Sequence, residues 1–277
     1  MLLSSFREVL FFDADALFLQ NPGQLFEQKA YTKTGALFFE DRRIMPEPKK
    51  EWLQQILPRP ISRNAMATRF WTGESGHMQE SGVVVVDKMN GSDRDGNKDE
   101  NKISVYDMVY GDKETFRIGW ELVGDTYYAF YDGVTGIIGR LRIVVQRLRT
   151  RRPPLNDEII LRQDYRNGRR ASLEGNEQNP ENYTICAPQL LHLDTNGIPL
   201  WFNGWLLSNK YADGNKQKPA EFEAYMVETV VPGEVDAWKL TESNICCLTT
   251  DRTFPVDDSV RETVKMLIGL AKEVDCC

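Results

Sequence analysis

The feature that most constrains the fold is a short apolar run near the N-terminus that two carboxylates interrupt. Val9-Leu10-Phe11-Phe12 is followed by Asp13-Ala14-Asp15, and apolar residues resume at once from Ala16 to Leu19. Four apolar residues without polar alternation are typical of a strand covered on both faces, as in a mainly parallel sheet flanked by helices. We therefore expect an α/β fold with Asp13 and Asp15 at the carboxyl end of a strand.

These two carboxylates are the first candidate site. Residues two apart on an extended chain point the same way, so Asp13 and Asp15 would converge at the sheet edge where α/β folds bind ligands. Such a pair favours a cation over a solvated turn, and two chemistries use it. Both carboxylates can hold Mg²⁺ or Mn²⁺ together with the phosphates of a nucleotide-sugar, as in the D-x-D pattern of glycosyltransferases. Alternatively, Asp13 is a nucleophile and Asp15 an acid/base, as in haloacid-dehalogenase-type phosphatases.

Length, composition and charge limit the classes of function. The 277 residues suit one large domain or two small ones, and 41% of them are hydrophobic, enough for a sizeable core. The net charge of −7 argues against a nucleic-acid partner. A phosphate-bearing substrate would therefore need a local metal or an arginine cluster. No apolar stretch is long enough to span a membrane. We expect one catalytic domain over residues 1–277, with surface insertions at about 90–102 and 139–181.

Hydrophobic periodicity predicts several further elements. Strands are expected at 35–39 and 83–86, and helices at 51–57, 219–230 and about 260–271. The five cysteines form no metal-binding spacing, and their pairing stays open. They are Cys186, Cys246, Cys247, Cys276 and Cys277.

Three other places carry polar residues of interest. Gln79-Glu80-Ser81-Gly82 leads directly into the buried strand 83–86, so it either lines a pocket or forms a tight turn. Asp112 suits the N-cap of a helix, and a substrate-binding or catalytic role is equally open. His192 lies in a strand that ends at an Asn-Gly turn; it is either a structural histidine or a further ligand of a metal held by Asp13 and Asp15.

Several blocks, taken together and in this order, resemble fungal Golgi alpha-mannosyltransferases of the alpha-1,3-mannosyltransferase type. The blocks lie at residues 8–15 with Asn21-Pro22, at 34–39, at 79–88, at 111–117 and at 191–200. The resemblance covers about residues 4–136 and 183–210. A lone D-x-D is weak evidence, whereas several blocks in register are fairly specific.

This resemblance implies a GT-A fold, which is Rossmann-like with a mixed, mainly parallel sheet. It implies GDP-mannose as donor, a mannan or an N- or O-linked glycan as acceptor, Mn²⁺ (or Mg²⁺) as cofactor, and retention of the anomeric configuration. The implied metal ligands are Asp13, Asp15 and His192. The implied catalytic residues are Glu80 and Asp112, and the other implied substrate-binding residues are Ser81, Gly82, Gly111 and Lys113.

Such a fold normally begins with a nucleotide-binding section before the D-x-D strand, and members of the family usually begin with a membrane anchor. Here that strand starts almost at Met1, so we expect a chain that lacks the N-terminal part of its family. The resemblance places the full-length protein in the Golgi lumen as a type II membrane protein. Two alternatives stay open: a catalytically impaired glycosyltransferase-like subunit, and the phosphatase, for which Ala16-Leu17 is a poor fit after the second carboxylate.

Overall fold

A computed structural model describes residues 5–89, 108–109, 111–144, 182–206, 218–229, 238–250 and 252–273. The strands are β1 (Glu8–Phe12), β2 (Ala16–Phe18), β3 (Ala36–Glu40), β4 (Gln79–Asp87), β5 (Ala129–Phe130), β6 (Thr135–Gly139), β7 (Leu141–Val144), β8 (Asn182–Cys186), β9 (Leu190–Leu193), β10 (Pro199–Asn203), β11 (Ala224–Val227), β12 (Trp238–Leu240), β13 (Cys246–Thr250) and β14 (Thr253–Pro255). The helices are a 3₁₀-helix (Pro22–Glu27), α1 (Lys29–Thr34), α2 (Lys50–Ile56), α3 (Arg63–Met66), α4 (Arg69–Thr72), α5 (Thr115–Leu122) and α6 (Asp258–Glu273). The expected insertion at 90–102, and 145–181 of the other insertion, lie outside the described residues.

The strands form three sheets, with the orders β1-β4-β3-β5, β14-β11-β6-β9-β10-β2 and β12-β13-β8-β7. Within the described residues, only β3 and β5 pair in parallel, and every other pairing is antiparallel. The protein is mixed α/β with mostly antiparallel sheets. The prediction of a mainly parallel, Rossmann-like sheet is therefore wrong.

The central strand β4 explains this error. All nine of its residues are buried, yet β4 runs antiparallel to both of its neighbours, β1 and β3. A continuous apolar run reports burial on both faces and carries no information about the direction of the neighbouring strands. The run in β1 was also misleading because β1 lies at the edge of its sheet, and its last residue, Phe12, is 53% exposed.

Two of the sheets share one hydrophobic core. Val83 and Val85 of β4 and Phe39 of β3 pack with Trp201 of β10, which belongs to the second sheet. The Phe39 and Trp201 rings meet edge to face with centroids 5.1 Å apart. The chain passes from β1 in the first sheet to β2 in the second through residues 13–15. The carboxylate turn is thus the crossover between these two sheets, and its position is fixed by their packing.

The helix predictions had different outcomes. The helix expected at 51–57 is confirmed as α2, which buries Trp52 and Leu53, and the C-terminal helix is confirmed as α6. The helix expected at 219–230 is wrong, because its middle forms the strand β11 between β6 and β14. Alternating burial of Ala224 and Met226 follows the period of two typical of a strand.

The third sheet contains a disulfide that the sequence left open. Cys186 of β8 and Cys247 of β13 are opposite one another in an antiparallel pair and are bonded. Cys246 is a buried free thiol. None of the helices in the described part of the chain is long and apolar enough to cross a bilayer.

Candidate functional site

The turn at residues 13–15 is held by backbone hydrogen bonds from both sheets. Asp13 N donates to Gly82 O at the start of β4 (2.9 Å), and Gly204 N, after β10, donates to Asp15 O (3.2 Å). Gly204 has φ 131°, and a Cβ there would lie 2.6 Å from Pro188 O, so only glycine allows this approach. Both carboxylates of the turn are partly buried. The prediction that they lie at the end of a strand is correct.

Glu80 lies beside this turn at the start of β4, and it is only 1% exposed. Its Oε1 accepts hydrogen bonds from Gly82 N (2.9 Å) and Asn203 Nδ2 (2.8 Å), and its Oε2 accepts one from Lys113 Nζ (2.9 Å). A Cβ at position 82 would lie 2.9 Å from Asn203 Nδ2, so a side chain there would have to displace the Asn203 amide. Glu80 thereby links β4, β10 and the turn before α5.

That turn, residues 111–114, brings Asp112 to the site. Ser81 Oγ donates to Asp112 Oδ1 (3.1 Å), while the Asp112 side chain is otherwise exposed. The N-cap position of α5 belongs to Glu114, so Asp112 is not the N-cap that the sequence suggested. Gly111, with φ 64°, adopts the left-handed conformation that begins the turn.

Glu114 fixes the turn against β4 from inside the protein. Its buried Oε1 accepts the backbone N–H groups of Met78 (2.7 Å) and Gln79 (2.8 Å). Its Oε2 pairs with Nη2 of the fully buried Arg117 at 2.8 Å. Because these contacts are made by one carboxylate, the positions of Ser81 and Asp112 depend on it.

The site is crowded with negative charge. Burial raises the pKa of Asp13, and the neighbouring carboxylates of Asp112, Asp15 and Glu80 raise it further. Lys113 opposes this, as the smallest of the main influences; its Nζ lies 2.7 Å from Asp41 Oδ2 and 2.9 Å from Glu80 Oε2. Oxygen-rich anionic sites of this kind suit a hard divalent cation.

His192 lies in the core of the protein. It is 2% exposed and stacks on Trp201 with ring centroids 4.2 Å apart, and no hydrogen-bond partner for its Nε2 is found among the described residues. Burial lowers its pKa to about 3, so the ring is neutral. Over the described ranges, no three His, Cys, Asp or Glu side chains form a group ready to hold a metal. The role of His192 as a metal ligand therefore stays a prediction.

The structure thus brings together seven of the nine residues that the resemblance implied. Of the other two, Gly111 begins the turn that carries Asp112, and His192 lies in the core. The seven are Asp13, Asp15, Glu80, Ser81, Gly82, Asp112 and Lys113. Sequence reasoning missed Asp41, Asn203 and Glu114. Asp41 had a usable signal, because it follows an apolar strand at its carboxyl end just as Asp13 does.

Comparisons with known proteins show the family of the chain. The family model described as "Mannosyltransferase putative" matches residues 1–194. "Alpha-1,3-mannosyltransferase MNT3" of Saccharomyces cerevisiae is 25% identical over 263 residues, which cover 80% of this chain and 36% of that protein. "Putative alpha-1,3-mannosyltransferase MNN14" of Candida albicans is 27% identical over 223 residues, 73% of this chain and 29% of that protein. The chain thus spans about a third of the length of these relatives, and it belongs to the fungal alpha-1,3-mannosyltransferase family.

Proposed function

We propose that the protein transfers mannose from GDP-mannose to a mannose-containing glycan, with an alpha linkage and retention of the anomeric configuration. Mannan and N- or O-linked glycans are the proposed acceptors. Family membership supports mannosyl transfer, and the observation that carries the proposal is the convergence of Asp13 and Asp15 with Asp112 where two sheets meet. The chain spans only part of its relatives, and we propose the same transfer for the whole protein.

Asp13 and Asp15 would hold Mn²⁺ or Mg²⁺. Their fit to such an ion rests on the chemistry of the donors, since both are carboxylates and three neighbouring carboxylates raise the pKa of Asp13. Small hard cations are commonly held by one or two carboxylates, while substrate phosphates complete the coordination. When bound, the ion would act as a Lewis acid that neutralises charge developing on the leaving diphosphate.

The protein's own groups would position the acceptor. Glu80 has hydrogen bonds to both carboxylate oxygens, which suits a residue that orders the backbone around the site. Asp112 is exposed and is oriented by Ser81, so it is the better placed of the two to accept a hydrogen bond from an acceptor hydroxyl. Holding that hydroxyl against the donor converts a bimolecular reaction into a step within one complex.

We also propose the Golgi lumen as the location. The bonded pair Cys186–Cys247 supports it, because disulfides persist in oxidising compartments and are rare in the cytosol. The phosphatase stays the alternative, with Ala16-Leu17 a poor fit to that class after the second carboxylate.

The test is a product assay with the whole chain. Alpha-linked mannobiose and GDP-mannose are incubated with Mn²⁺, with Mg²⁺ or with EDTA, and the trisaccharide is analysed by mass spectrometry and by NMR of its anomeric proton. We expect an alpha-linked trisaccharide that EDTA abolishes. A product of inverted configuration would contradict retention. A chain that binds glycans but transfers nothing would favour the impaired-subunit alternative, and hydrolysis of p-nitrophenyl phosphate that depends on Asp13 would favour the phosphatase.

A further inference from the structure

Asp41 is a fully buried carboxylate to which neither the sequence nor the proposed reaction assigns a role. It follows directly after β3, and its own N–H donates to Met78 O (2.9 Å). Its Oδ1 accepts the N–H of Arg42 (2.7 Å), and its Oδ2 lies 2.7 Å from Lys113 Nζ and 3.3 Å from His77 Nδ1. A carboxylate taken fully out of water costs several kcal/mol unless it is paired. Lys113 and His77 supply that pairing, so Asp41 is a stable buried negative charge beside the candidate site.

The partner of Asp41, Lys113, is a cation that acts on the anionic site. Lys113 acts on Asp13 through space, and it is the only positive group among the main influences on the pKa of that carboxyl. Lys113 Nζ donates one hydrogen bond to Asp41 and one to Glu80. Two buried carboxylates therefore face one ammonium group, and this trio carries a net charge of −1. Arg42 donates to Pro188 O at 3.3 Å and also acts through space on Asp41 and Lys113, and its charge is the same in every variant compared below.

The charge of this trio acts on whatever binds at Asp13 and Asp15. If Asp41 were neutral, Lys113 would be balanced by Glu80 alone, and the charge beside the site would become more positive by one unit. A unit charge near a partly buried cation site changes the affinity for a cation by about threefold or more, and by more for a divalent ion. Asp41 can thus tune a cation site that it does not touch.

We propose that Asp41 is a positioning residue that binds and neutralises Lys113, so that the Asp13–Asp15 turn keeps the negative charge needed to hold a divalent cation. This inference rests on the proposed function only for the claim that a cation binds at the turn. It assigns Asp41 no contact with substrate or metal.

The test measures binding of Mn²⁺ alone to the whole chain, by the loss of the free-ion signal in electron paramagnetic resonance. Asp41→Asn keeps the shape and the acceptor for Arg42 N, and we expect it to weaken Mn²⁺ binding by about threefold or more. Lys113→Gln should have the opposite effect and tighten binding. The double variant Asp41→Asn/Lys113→Gln restores the net charge of −1 and should return the affinity to within about twofold of the wild type.

Asp87→Asn is the matched control. Asp87 is also a buried carboxylate on a basic partner, Arg7, but it lies seven residues further along β4, roughly 23 Å from Glu80. Removal of its charge should leave Mn²⁺ affinity unchanged. Thermal unfolding of each variant checks that it is folded, and if Asp41→Asn does not fold, the tightening expected for Lys113→Gln still tests the proposal.

The proposal is overturned if folded Asp41→Asn binds Mn²⁺ like the wild type, or if the double variant stays as weak as Asp41→Asn, since that pattern indicates a structural role. It is also overturned if the wild type binds no Mn²⁺. Mannosyl transfer is scored separately on the wild type. Mannosyl transfer without Mn²⁺ binding would support the proposed reaction and contradict the role of Asp41. The expected pattern of Mn²⁺ affinities without mannosyl transfer would support the role of Asp41 and contradict the proposed reaction.

Discussion

Gly204 donates its backbone N–H to the carbonyl oxygen of Asp15 across 3.2 Å, and this bond ties the end of β10 to the carboxylate turn. The geometry of the candidate site therefore depends on a residue that carries no side chain. Gly204 holds φ 131°, and the space that a Cβ would fill is taken by Pro188 O. The backbone of the turn is fixed by the packing of two sheets before any ligand arrives.

Gly204→Ala is expected to destabilise the protein by about 2–4 kcal/mol, because it combines a left-handed backbone with a steric clash. The measurement is the free energy of unfolding in urea. Gly269→Ala, in α6 where nothing lies within 4 Å of an added Cβ, is the control and should stabilise by about 0.5–1 kcal/mol. Equal stability of Gly204→Ala and the wild type would show that the turn is not held in this way.

Glu114→Ala is expected to cost about 3–5 kcal/mol of unfolding free energy. It removes the acceptor for two backbone N–H groups and leaves the buried guanidinium of Arg117 without its carboxylate. The exposed pair Lys265–Glu262 offers a comparison, and Glu262→Gln should change stability by less than about 0.5 kcal/mol. The prediction fails if the two substitutions have similar effects.

Asp41 should make the free energy of unfolding depend on pH, and the groups around it determine the direction. Burial alone would raise its pKa, but Lys113 and His77 outweigh burial and hold the pKa well below its usual range. The group therefore stabilises the fold above its unfolded-state pKa, about 3.9, and this contribution is lost as the pH falls below that value. Unfolding measured from pH 7 down to pH 3 should show the stability advantage of the wild type over Asp41→Asn shrinking below about pH 4. An advantage that stays constant with pH would contradict the assignment.

The disulfide should make stability depend on redox conditions. Cys186–Cys247 closes a loop with a sequence separation of 61, and its reduction should lower the free energy of unfolding by about 2–4 kcal/mol. Urea unfolding with and without dithiothreitol measures this change. The variant Cys186→Ala/Cys247→Ala should not respond to dithiothreitol, and an equal response in that variant would point to another thiol.

The sequence was sufficient to place Asp13 and Asp15 at the end of a strand, since the apolar run predicts the strand and the two carboxylates that interrupt it indicate where the strand ends. It could not give the direction of the neighbouring strands. β4 reads as fully buried, and burial is the same whether its neighbours run parallel or antiparallel. The helix expected at 219–230 failed because long-range pairing of β11 with β6 and β14 outweighed local pattern.

Site residues that stand out in a short sequence block could be predicted. Residues that reach the site only through the packing of distant strands could not. Ser81 and Asp112 were named from separate blocks, and the structure joins them by a hydrogen bond. Asn203 was hidden because its contact with Glu80 links residues 123 positions apart, through strands of different sheets. No periodicity in a single sequence reports such a contact.

The most direct measurement of the central claim is the rate of mannose transfer from GDP-mannose to alpha-linked mannobiose at saturating Mn²⁺ in Asp13→Asn, Asp15→Asn and Asp87→Asn. Each substitution removes one carboxylate charge, but only the first two remove it from the turn. We predict a loss of about 100-fold or more in kcat/KM for Asp13→Asn and Asp15→Asn, and a rate within about twofold of the wild type for Asp87→Asn. Retention of wild-type transfer in Asp13→Asn and Asp15→Asn would contradict the account.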